Sequence, residues 1–159
     1  MRFNGGMLPL RSSTLAALAL VACGEVPPPL SSGASEVACM RDARLTPYSP
    51  GMQVWGEAGF SVHVVESTPA VPARFDNRLV VEVIGPDGAP SADALLAVTT
   101  HMPLAGLGAD EPATVTPDGA GRFVVDPVRM PMPGLWEIRF LVTQGAARDL
   151  VALPLCIPG

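Results

Sequence analysis

There is no lysine in this chain: all ten basic residues are arginine. Alongside abundant Ala, Pro and Gly, this is the mark of a GC-rich genome, a mutational bias that carries no functional information. Histidine is nearly as scarce, with His63 and His101 alone. The chain has no Ser-His-acid set with a nucleophile elbow, no Cys-His pair with a free thiol and no glycine-rich phosphate loop. The adjacent carboxylates Asp110 and Glu111 read as a solvent-facing loop pair. Asp87-Gly88 and Asp118-Gly119 read as turns, without the dense ligand spacing of a calcium loop. Together these absences argue against an enzyme. Sustained helical periodicity is missing too, which leaves a chain of strands and turns. The apolar run Leu15 to Ala22 is shorter than the roughly twenty residues that a permanent membrane span needs.

What is present at the N-terminus is an export signal. Arg2 and Arg11 supply a short basic region before that apolar run. The run ends in Leu20-Val21-Ala22-Cys23-Gly24, which resembles the bacterial lipoprotein signal. The resemblance implies that residues 1–22 are removed and that Cys23 is lipidated as the mature N-terminus. A plain secretory signal cut at a small-residue site is the other reading. Gly24 rather than Asp after the cysteine implies the outer membrane if the cell is Gram-negative. Residues 23–38, with Pro27-Pro28-Pro29 and Ser31-Ser32-Gly33, have no periodicity and read as a tether spanning up to roughly 3 Å per residue. A proline docking site for a partner is the alternative. Two of the ten Arg leave with the leader and all 15 acidic residues stay, so the mature chain carries a net charge of −7. Such a domain repels nucleic acid and anionic lipid surfaces, and its sequence has no basic stripe to offset this.

Three cysteines are an awkward odd number for an exported chain. Lipidation of Cys23 leaves Cys39 and Cys156, which flank the whole globular part. A disulfide between them would stabilise the fold by about 4–5 kcal/mol in the chain-entropy model. The alternative, a pair of metal-binding thiols, matches no metal spacing.

Residues 39–159 suffice for one domain with a single core. Short alternating runs punctuate them: Phe60 to Glu66, Arg78 to Ile84, Leu95 to Met102, Ala113 to Thr116, Arg122 to Val125, Leu135 to Val142 and Asp149 to Leu155. Gly85-Pro86-Asp87-Gly88 is a turn, and Pro117-Asp118-Gly119-Ala120-Gly121 joins two runs as a hairpin. In the organising run, Trp136, Ile138, Phe140 and Val142 share one face. The pattern predicts an all-β, immunoglobulin-like β-sandwich of about seven antiparallel strands, with a small antiparallel barrel as runner-up.

The stretch 57–150 resembles the YtkA-like family, related in layout to FixH-type and CopC-type periplasmic domains. The resemblance is carried by Met102-Pro103 after a strand, by Pro117 to Phe123, and by Met132, Gly134 and Trp136 opening a strand. Gly145 in the following turn and Arg78 to Pro90 complete it. It implies an immunoglobulin-like sandwich and a copper-handling role. Chemistry supports the same idea separately, since soft Cu(I) prefers thioether and imidazole ligands. The candidate ligands are His101 and Met102 at one strand end and Met130 and Met132 before another, with His63 more distant. The family's further ligands after Met-Pro are absent, because Leu104-Ala105-Gly106-Leu107-Gly108 supplies none. The competing reading is packing: Met102 and Met132 cap the sandwich against Trp136, His101 is a solvated strand-end residue, and Met130 is half exposed. Two functions follow. One is a non-catalytic, membrane-anchored envelope lipoprotein that contacts a neighbour through a sheet face or the 103–112 loop. The other is a copper(I)-binding domain.

Overall fold

The computed structural model describes residues 39–108 and 112–159. The leader, Cys23, the tether and Asp110-Glu111 lie outside the described residues. Among the described residues nine strands form: β1 (Gln53–Trp55), β2 (Ser61–Thr68), β3 (Phe75–Ile84), β4 (Leu95–Met102), β5 (Leu107–Gly108), β6 (Thr114–Pro117), β7 (Arg122–Met130), β8 (Gly134–Gln144) and β9 (Ala147–Ile157). They build two antiparallel sheets, ordered β1-β2-β3-β7-β6 and β5-β4-β8-β9. Two facing sheets make a sandwich rather than a barrel. Without the short β1 and β5, four strands (β2-β3-β7-β6) face three (β4-β8-β9), as in the constant-type immunoglobulin sandwich.

Alternation explains the core. Trp136, Ile138, Phe140 and Val142 of β8 point inward and are fully buried, as are Val151 and Leu153 of β9. Val62, Val64, Leu79, Val81, Val83 and Val125 meet them from the other sheet. Each such side chain contributes about 1.5–3 kcal/mol by leaving water. The predicted hairpin forms, with Thr114 opposite Asp126 and Pro117 opposite Phe123.

Three features depart from the sequence reading. β1 and β5 have three and two residues, too few to show a period. β7 runs on to Met130, which is completely buried rather than half exposed, because Val128 and Met130 continue the inward face of the strand. On β8 the outward-facing Leu135 and Glu137 are buried as well. The cause is the segment leading into β1: the Cys39–Cys156 disulfide staples it over β9, with Cα atoms 5.6 Å apart across 117 residues of sequence. Cys156 is the register partner of Leu135.

The registers sort the connections into two ends. The disulfide end holds residues 69–74, 103–106 and 131–133 with the close of β9. The opposite end holds residues 56–60, 85–94, 118–121 and 145–146.

Candidate functional site

The candidate methionines gather at the disulfide end. Trp136, with no exposed surface, donates its indole N–H to the Met132 carbonyl at 2.8 Å and so holds the 131–133 turn. Gly134 follows at φ +130°, a conformation open to glycine, and a Cβ there would lie 3.0 Å from the Met102 methyl carbon. Met102 is thus laid across the start of β8, buried, while Met132, two residues before Gly134, is partly exposed. Thr100 donates its hydroxyl to the Arg129 carbonyl at 2.8 Å and ties β4 to β7 across the core.

The four candidate ligands are therefore distributed. Met102 and Met130 belong to the core, Met132 reaches the surface, and His101 stands on the outer face of its sheet opposite Glu137. Neighbours on a strand face opposite ways, so Met102 pointing in sends His101 out. His63 lies on the outer face of the other sheet, with Nδ1 3.8 Å from a Glu82 oxygen. Among the described residues no group of three or more His, Cys, Asp or Glu side chains is arranged to hold a metal ion.

Sequence reading missed the ionic and apolar surroundings of this end. Arg44 donates to Glu137 Oε1 at 3.1 Å, and Arg139 donates to Glu137 Oε2 through Nε at 3.1 Å and Nη2 at 2.8 Å. Arg44 also forks onto Asp42, and its side-chain and backbone hydrogen bonds hold the Asp42 carboxyl down at about 2. Beside the disulfide an open groove of about 390 Å³ is lined by Met40, Leu45, Tyr48, Val71, Pro72 and Leu155, among others. Burial raises the Tyr48 phenol above its ordinary value. No composition signal marks this groove, because its walls come from segments distant in sequence.

The buried carboxylate Asp149 has a structural task at the opposite end. It accepts the N–H groups of Ala58 at 3.0 Å and Phe60 at 3.2 Å. A side chain on Gly56 would run into it.

No protein-family model matches the chain, and no curated protein does. Among solved structures, a copper-bound variant of FetP from uropathogenic Escherichia coli strain F11 is similar at a TM-score of 0.43 and 9% identity. The match covers 72% of this chain and 99% of that one. At that score and identity it bears on neither family nor function.

Proposed function

We propose that the chain is an exported lipoprotein whose sandwich is a non-catalytic interaction module held at the envelope surface. The leader 1–22 is removed, Cys23 carries the lipid, and residues 24–38 tether residues 39–159. The observation that carries this reading is the Cys39–Cys156 disulfide. It occupies two of the three cysteines, fits an oxidising compartment, and leaves the cysteine that closes the apolar leader as the odd one. The absence of catalysis is supported by how the polar groups are engaged. The two histidines sit on outer faces of different sheets, and the buried carboxylates Glu137 and Asp149 hold structural partners. The test is fractionation of cells producing the parent and Cys23→Ser. The parent should sediment with membranes and enter a detergent phase, and the variant should lose both behaviours while keeping its disulfide. Equal, soluble distribution of the two would overturn the reading.

A copper(I) role is the second reading. It is favoured by one observation, the Met102 thioether lying against Gly134 two residues from the partly exposed Met132. Soft thioethers suit Cu(I), but His101 faces the other way, so such a site would rest on sulfur alone.

A further inference from the structure

We propose that the disulfide end of the sandwich is a lipid-facing surface that rests on the membrane to which the chain is tethered. This builds on anchoring through Cys23.

The first support is where the exposed apolar side chains are. Of the ten large hydrophobics exposed among the described residues, six belong to this end: Met40, Val71, Phe75, Leu104, Leu107 and Met132. Scattered exposed hydrophobics need no explanation, whereas their collection at one end does.

The second support is the charge. In the described connections of this end, with the segment leading from Cys39 to Pro47, the charged residues are Arg41, Arg44, Arg74 and Asp42, and Asp42 is paired with Arg44. The connections of the opposite end carry Glu57, Asp87, Asp93 and Asp118 and no arginine. Among the described residues, the connections of the far tip are thus the more acidic. Strands of about ten residues place that tip on the order of 30 Å away, several screening lengths in physiological salt. The four carboxylates of that tip therefore do not repel anionic lipid at the disulfide end.

Phe75 is the third. It is a bulky residue at φ +72°, in the left-handed region, with 61% of its surface exposed. The buried Asn77 amide holds this geometry. It donates to the carbonyls of Ala73 at 2.9 Å, Phe75 at 3.1 Å and Val128 at 3.1 Å, and its oxygen accepts the Ala73 N–H at 2.8 Å. Arg74 lies over the ring, 4.8 Å from its centroid, and donates to the Pro131 carbonyl at 3.1 Å. An aromatic ring held outward beside an arginine is the side-chain pairing that a lipid-water interface accommodates: the ring and alkyl stem enter the apolar layer and the charge stays with the headgroups.

The last support is the geometry of attachment. The lipid at Cys23 and the start of the fold at Cys39 are 16 positions apart, and Met40, next in sequence, lines the apolar groove. The chain therefore enters the sandwich at the end that is apolar and arginine-bearing.

The experiment uses the full lipidated chain in nanodiscs of phosphatidylethanolamine and phosphatidylglycerol, with a few headgroup-chelated gadolinium lipids. Alanine and methionine methyl groups carry the NMR label. Ala70, Ala105 and Met132 should broaden several-fold more than Ala89 and Ala120. Val71→Ser/Phe75→Ser, with the anchor intact, should flatten that gradient. An equal gradient in this variant would mean that the tether alone sets it, and would overturn the proposal. So would uniform broadening, or a dimer that shields these methyls from gadolinium. A chain that does not co-purify with the nanodisc overturns the anchoring itself, a failure distinct from the others.

Discussion

Asp149 is a buried carboxylate with a structural task. Its carboxylate takes two backbone N–H groups of the 56–60 turn that no strand partner reaches. Asp149→Ala should leave both donors without their acceptor and destabilise the fold by about 1–3 kcal/mol in chemical denaturation. Asp149→Asn, which keeps an acceptor oxygen, should recover part of that loss. The methionines separate in the same way. Met130 and Met102 are core, and Met132 holds its turn through its backbone carbonyl rather than its sulfur. Cu(I) competition titration should therefore give equally weak binding for the parent and for Met102→Leu/Met132→Leu, since leucine keeps the volume and removes the thioether. Tight one-to-one binding lost in the variant would establish the copper reading instead.

At the scale of elements, the segment between Cys39 and β1 behaves as part of the fold because the disulfide closes it onto β9 and Arg44 reaches Glu137. Cys39→Ser/Cys156→Ser should lower stability by up to about 4–5 kcal/mol while leaving the seven long strands in place. Far-UV circular dichroism with equilibrium unfolding checks both halves of that statement. The same element shows what the sequence could and could not convey. Period-two runs made the seven long strands, the inward face of β8 and the hairpin around Asp118-Gly119 legible, since these depend on residues near one another in the chain. The burial of Leu135 and Glu137 was not legible, because it depends on a segment about ninety residues away. The separation of His101 from Met102 was written in the alternation of β4 itself. The burial of Met130 needed the knowledge that β7 continues past Pro127, a residue that reads as an interruption.

For the whole molecule, the decisive property is polarity from end to end. Among the described residues, connections that look scattered in sequence divide into an end at the disulfide where most of the exposed large apolar side chains gather and an opposite end whose connections carry carboxylates and no arginine. Only the topology reveals this, because it says which loops are neighbours. We join that division to the proposed tether at Cys23, with the sandwich as cargo rather than catalyst. Intact-mass measurement of the mature protein under non-reducing conditions tests it most directly. The account predicts a chain beginning at Cys23, heavier than its sequence by acyl groups, with Cys39 and Cys156 joined and no free thiol. A chain beginning elsewhere, or an unmodified Cys23, would contradict it.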